Sequence, residues 1–314
     1  MKLEGIHHVT AITADAPGNV QFYTGVLGLR LVKKSVNQDD PTVYHLFYGD
    51  EEGSPGADLT FFEYPDAARG RAGAGMVHRV VWRLGSAQAL EFWQERLSAQ
   101  GTEVRREGDG LVFADPEGLA HELLVSASAD PPLRAQAPDI PPERALLGFS
   151  GVRAYSAEPA RSSDLLRDTL GFRGGETDGR WEVRGEQRGS FYAYDAPPPG
   201  APASQGAGTV HHVAFAAQPQ DEEAWRARVT AVGMHATEVI ERFYFRSVYF
   251  REPSGVLFEI ATIGPGFAVD EDAAHLGEHL SLPPRLEPMR ARLEAALTPL
   301  PAPERAPAPS PART

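Results

Sequence analysis

Four stretches of this 314-residue chain repeat one short pattern of strand, helix and three further strands, and that repetition restricts the fold more than any other feature. The first reads as a strand at 6–13, a helix at 17–27 and strands near 29–36, 42–49 and 58–64. Its helix carries Val20, Phe22, Tyr23, Val26 and Leu27 on roughly one face, and Gly28 follows where a helix stop belongs. The second opens at Val77-His78-Arg79-Val80 and continues with a helix over 87–100 and strands around 103–106, 110–114 and 120–125. The third opens at Phe149-Ser150-Gly151-Val152, with a helix through 165–171 and strands near 181–184 and 190–194. The fourth opens at His211, has a helix near 222–232 and ends at Ile263.

The openings align with one another, and so do the last turns. His7-His8-Val9 matches His78-Arg79-Val80, Ser150-Gly151-Val152 and His211-His212-Val213. Asp115-Pro116-Glu117-Gly118, leading to Glu122, matches Glu252-Pro253-Ser254-Gly255, leading to Glu259. Side chains alternate along a strand, so where two modules share a cupped sheet the inward residues of first and last strands converge. His8, His212 and Glu259 then fill three of four such slots, with Thr60 in the fourth, while Arg79, Gly151 and Glu122 fall in the other cup. Modules one and four are expected to share the ligand-bearing cup, and modules two and three a degenerate one.

The expected fold class is α+β: four βαβββ modules forming cupped mixed sheets in two domains. Along the chain the boundaries read as an N-terminal domain over 4–126, a linker over 127–146, a C-terminal domain over 147–264 and an extension over 265–297. The linker carries Pro131, Pro132, Pro138, Pro141 and Pro142 and reads as extended. The extension has helical composition over 284–296, and the Pro, Ala and Arg of 298–314 read as a disordered tail.

Composition narrows the functional classes. A net charge of −13 without a basic run argues against nucleic-acid or anionic-membrane partners. The chain has no cysteine, which excludes disulfides, thiolate metal sites and thiol nucleophiles. No apolar stretch is long enough to span a membrane, the N-terminus lacks a signal-peptide core, and a cytoplasmic location is the expectation.

Two neutral imidazoles and one carboxylate on strands make the 2-His-1-carboxylate ligand set, which leaves about three positions of an octahedral iron open. A lone strand histidine is more often core or surface than ligand. A doublet repeated at corresponding positions, with Glu259 at a third, reverses that balance. His45, His78, His121, His235, His275 and His279 read as structural or surface residues.

With these residues in place, the chain resembles the vicinal-oxygen-chelate (glyoxalase/bleomycin resistance/dioxygenase) superfamily, over about residues 4–290. Within it, the resemblance is to the para-diol ring-cleaving dioxygenases that act on hydroquinones. The motifs are Ile6-His7-His8-Val9-Thr10, Phe22-Tyr23 with Val26-Leu27-Gly28-Leu29, and the run Arg242-Phe243-Tyr244-Phe245-Arg246-Ser247-Val248-Tyr249 through Gly255 to Phe258-Glu259. The resemblance implies Fe(II), with Mn(II) sometimes accepted, held by His8, His212 and Glu259. It places His7, Thr10, His211, Arg242 and Tyr249 around the substrate: His211 as acid–base, Tyr249 as donor and Arg242 as anion stabiliser. The implied partners are a small aromatic diol and O₂. A glyoxalase-type lyase or isomerase is an alternative, weakened by Thr60 in the fourth slot; a catechol extradiol dioxygenase and a metal-free binding protein are others. Phe243, Phe245, Tyr192 and Phe267 are candidates for pocket or core. Ring substituents and self-association into a homo-oligomer are left open by the sequence.

Overall fold

Every residue of the opening strand is buried, a pattern that arises when both faces of a strand are covered. The computed structural model describes residues 1–175, 178–200 and 203–303. Module one supplies β1 (Ile6–Thr13), β2 (Arg30–Val36), β3 (Tyr44–Gly49) and β4 (Asp58–Glu63), and module two β5 (Met76–Leu84), β6 (Arg105–Glu107), β7 (Gly110–Ala114) and β8 (Ala120–Val125). Module three supplies β9 (Phe149–Tyr155), β10 (Arg173–Gly174), β11 (Arg180–Arg184) and β12 (Gly189–Asp195). Module four supplies β13 (Val210–Ala217), β14 (Ile240–Glu241), β15 (Arg246–Arg251) and β16 (Leu257–Thr262).

These strands form two eight-stranded mixed sheets. One has the order β14-β15-β16-β13-β1-β4-β3-β2, the other β10-β11-β12-β9-β5-β8-β7-β6. Modules one and four share the first sheet, joined by the antiparallel β1–β13 pair; modules two and three share the second through β5 and β9. The halves of the chain therefore do not coincide with the sheets: 4–126 and 147–264 each give one module to each sheet.

The expected helices form in modules two and four, over Ala87–Ala99 and Glu222–Ala231. In module one the helix is short, Ala16–Val20, and widens into a π-turn over Gln21–Val26; module three repeats the wide turn over Leu165–Thr169. Gly28 then takes a positive φ of 66°, and a Cβ there would lie 2.4 Å from Ile140 Cδ1. Ile140 belongs to the segment expected as a plain extended linker, yet it, Ala145 and Leu146 are buried in the core. The 127–146 segment is thus packed, because apolar side chains between its prolines find the seam beside module one. The main apolar cluster takes in Tyr23, Trp82, Trp93, Tyr192, Phe215 and Trp225, and smaller clusters lie inside the two cups around Phe47 and Phe245 and around Phe191. Tyr23 also bonds Asp115 at 2.9 Å and His121 at 3.0 Å, a buried polar link between modules one and two.

Past β16 the chain crosses the first sheet as a strap before ending in a helix over Arg290–Ala296. Lys33 on β2, fully buried, holds the strap through Asp270 at 2.8 Å and through Glu271. Of the tail expected to be disordered, 298–303 is described and Leu300 packs against the core; 304–314 lies outside the described residues. Among the described residues no helix is long and apolar enough to cross a membrane.

Candidate metal centre

The register of β1 against β13 explains how adjacent histidines can serve one site. Pairing runs Ile6 with Phe215 and then His8 with Ala214, which leaves His7 as an extra residue. At the other end it runs Thr10 with His212 and then Ala11 with Val210, which leaves His211 as the extra residue. Both doublets sit on β-bulges, and a bulge re-aims a side chain that strict alternation would send to the far face. Each extra histidine stays beside its neighbour, His7 Nδ1 3.0 Å from His8 Nδ1 and His211 Nδ1 2.8 Å from His212 Nδ1.

The Nε2 atoms of His8 and His212 lie 3.2 Å apart. Glu259 Oε2 completes a triangle, 3.1 Å from the first and 2.9 Å from the second. Donors bound at about 2.1 Å and right angles to one ion stand about 3.0 Å apart, against about 3.4 Å for tetrahedral angles. The observed edges of 3.2, 3.1 and 2.9 Å fit a face of an octahedron. Glu259 is fully buried, and its Oε1 accepts from Ser247 Oγ at 2.5 Å. Oε2 has no aligned hydrogen bond despite its two close imidazoles. Desolvation would make such an orphaned carboxylate oxygen costly, and a cation at the centre of the triangle would satisfy it. Among the described residues no other group of three His, Asp or Glu brings ligand atoms within 4.8 Å of one another.

Burial sets the protonation of the surrounding rings. It depresses His7 to about 3, with His8 adding to the effect, and His211 to about 4, with His212 and Arg251 adding. Both are neutral near pH 7, so their Nδ1 atoms can accept from Nδ1–H of His8 and His212. That fixes the tautomer that turns each Nε2 lone pair toward the triangle. Burial pushes the Glu259 carboxyl up, but the facing imidazoles outweigh it and hold the group well below the usual range.

A narrow cavity opens over the triangle. His8, His212, Arg242 and Tyr249 line it, together with His45, Phe47, Phe62, Tyr244 and Phe245. Glu259, His7, Thr10 and His211 are not on its wall. Thr10 accepts from Thr60 Oγ1 at 2.8 Å. Arg242 arrives already paired: its guanidinium makes two 3.0 Å bonds to Asp39 and lies 5.6 Å from the centre of the Tyr249 ring. Beside it Phe243 holds a positive φ of 71°, a conformation uncommon outside glycine. Of the other aromatic candidates, Phe245 is on the wall, Phe267 packs behind it on Phe47 and Tyr244, and Tyr192 is core.

His45 is the residue that sequence reasoning set aside and the structure brings to the cavity. Alternation along β3 carried the signal, since Tyr44, Leu46 and Tyr48 face the core while His45 and Phe47 face the cup. Asp39 had no such signal, because nothing local ties it to an arginine 203 residues away.

The second sheet repeats the architecture without the ligands. Its pairing skips at His78 and Ser150, so the same two bulges form. A guanidinium stands at the corresponding place: Arg79 bonds Glu122 at 3.1 Å and Glu107 at 2.8 Å. Gly151 stands where His212 does, and a Cβ there would lie 2.5 Å from the Phe191 ring, so no imidazole fits. A large surface depression, broad and open, runs past His78, Arg79 and Tyr155. The donor triangle lies elsewhere, and it is the chemistry rather than the size of the opening that locates the site.

Comparison with known proteins agrees with this geometry. The family model described as Glyoxalase/Bleomycin resistance protein/Dioxygenase superfamily matches residues 5–123 and 149–260. A Bacillus subtilis (strain 168) protein named as a ring-cleaving dioxygenase, MhqA, is 40% identical, with 96% of this chain and 100% of that one covered. The chlorohydroquinone/hydroquinone 1,2-dioxygenase of Sphingobium indicum (strain UT26S) is 32% identical over 93% of this chain and 95% of its own. A crystal structure of a dioxygenase from Bacillus subtilis superposes with a TM-score of 0.88 at 37% identity, covering 95% of this chain and 98% of that one.

Proposed function

Because the chain belongs to the glyoxalase/bleomycin resistance protein/dioxygenase superfamily, we propose that it is an Fe(II)-dependent dioxygenase that opens the ring of hydroquinone-type para-diols. The observation that carries this reading is the His8, His212, Glu259 triangle with octahedral-face spacing under an aromatic-walled cavity. Relatives named as ring-cleaving dioxygenases, one of them for hydroquinones, support the substrate class. Mn(II) suits the same donors.

When bound, the metal supplies a shared binding point for a diol oxygen and O₂ and a path for electrons between them. The protein's own residues do the rest. Ser247 holds Glu259 so that one oxygen faces inward, and His7 and His211 keep the two ligand imidazoles in the metal-binding tautomer. Tyr249 keeps its proton, because burial and Glu259 push its phenol far above neutrality, and so acts as a donor toward oxygen atoms in the cavity. Arg242, oriented by Asp39, brings positive charge to the rim, where negative charge on a ring-opened product is stabilised. His211, expected as an acid–base, stands off the cavity wall, so its part is to hold His212 through Nδ1 while its own proton sits on Nε2. Thr10 acts less directly, as the acceptor for Thr60. The aromatic walls exclude water and favour a flat ring. Thr60 in the fourth slot offers no carboxylate, which counts against a glyoxalase-type isomerase.

The test is oxygen consumption by protein loaded anaerobically with Fe(II), given hydroquinone, methylhydroquinone and catechol. Uptake with the para-diols is expected, falling at least about 10³-fold in His8→Ala and Glu259→Ala. Stoichiometric iron without uptake on any diol would remove the dioxygenase reading.

A further inference from the structure

We propose that His45 is a specificity-determining residue that accepts, at Nδ1, a hydrogen bond from the hydroxyl at the far end of a para-diol whose other oxygen faces the His8, His212, Glu259 triangle. This rests on the ring-cleaving reading above and names the group that would recognise the second hydroxyl.

Three observations carry it. First, the His45 ring is on the cavity wall and is fixed there. It packs with its centre 3.9 Å from the Phe47 ring and 4.3 Å from the Phe62 ring, both cavity residues. Second, its hydrogen bonding leaves one nitrogen free. Nε2 lies 2.9 Å from Thr60 Oγ1, and Thr60 donates its own proton to Thr10 Oγ1 at 2.8 Å. In that chain Nε2–H is the donor to Thr60, so Nδ1 carries the lone pair, and among the described residues it has no partner. Burial holds the ring neutral, and the nearby His8, His212 and Arg242 act in the same direction.

Third, most of the other polar groups on the wall are spent. Asn37 bonds Tyr64, Gln38 bonds the Arg242 carbonyl, Asp39 pairs with the Arg242 guanidinium and Tyr244 bonds Asp270. Arg242 can only donate, and the Tyr249 phenol oxygen already faces the Arg242 and Ser247 donors. A phenolic hydroxyl brought into an aromatic-walled cavity loses its water and needs an acceptor, and His45 Nδ1 supplies one. The site would then prefer a ring with hydroxyls at both ends over a ring with one, because binding phenol leaves Nδ1 unpaired. Thr60 has a reason to stand where a fourth carboxylate ligand would otherwise fit: it anchors the ring that reads the substrate.

The experiment measures anaerobic dissociation constants of the Fe(II)-loaded protein for hydroquinone and for phenol by calorimetric titration, with iron content checked in every sample. The wild type is expected to bind hydroquinone about tenfold more tightly than phenol. His45→Phe keeps a ring between Phe47 and Phe62 but removes the acceptor, and the preference should collapse to within about twofold. His45→Gln restores an acceptor oxygen and should recover part of the preference. A full preference retained in His45→Phe at normal iron content overturns the role of His45, as does a wild type that binds both ligands equally. A wild type that binds iron but neither ligand overturns the ring-cleaving reading beneath it, so the two failures are told apart.

Discussion

The paired histidines differ in role because a bulge separates them. His8 and His212 turn Nε2 into the donor triangle, while His7 and His211, one residue earlier on bulged backbone, set their own Nδ1 atoms against the Nδ1 atoms of those two rings. Substituting either outer histidine by phenylalanine should preserve packing and remove the acceptor that fixes the ligand tautomer. Metal affinity should fall about 10–100-fold in His7→Phe and in His211→Phe, measured by competition with a chelator of known affinity. Equal affinity in both variants would mean that the tautomers are set some other way. At this scale the sequence was partly readable. The donor triangle was legible because the repeat compared His8, His212 and Glu259 with Arg79, Gly151 and Glu122 in homologous slots. His45 was not, since a single histidine amid aromatic residues has the composition of ordinary core. Only the facing of β3, together with the Thr60–Thr10 chain, distinguishes it.

At the level of elements, strand boundaries followed from alternation and turn residues, so β7 and β8 fall where the pattern placed them. The helical segments of modules one and three fall in place too, but they are wound as wide π-turns over Gln21–Val26 and Leu165–Thr169, a widening that the apolar pattern does not reveal. The strap after β16 was equally hidden, as its anchors come from far along the chain. Lys33 is the chief of them, with Asp270 and Glu271 on one side and the Tyr244 ring 4.9 Å away. Removing one member of a buried charge cluster leaves the others uncompensated, typically at a cost of about 3 kcal/mol. Lys33→Met should therefore unfold at lower urea and be cleaved sooner by protease between residues 266 and 282. Its affinity for substrate should also weaken, because strap residue Phe267 packs on Phe47 and Tyr244 of the cavity wall. Unchanged urea unfolding and proteolysis would show that the strap is held without Lys33.

For the whole molecule, the exchange of modules between sheets is what assembles the site. His8 comes from the first module and His212 and Glu259 from the fourth, so neither half of the chain alone contains the donor triangle. The pairing of modules could be inferred from which slots hold ligands. The packing of 127–146 into the core could not, because proline-rich composition describes local stiffness and not what Ile140 will meet. The second sheet, with Arg79 between two carboxylates, retains the scaffold and has lost the chemistry. The central proposal is that O₂ is used at this triangle to open a para-diol ring. Reaction of the Fe(II)-loaded protein with hydroquinone under ¹⁸O₂, followed by mass spectrometry of the product, tests it most directly. An acyclic product carrying both labelled oxygen atoms is expected, and none from Glu259→Ala. Label recovered only in hydrogen peroxide, with the ring intact as a quinone, would contradict it.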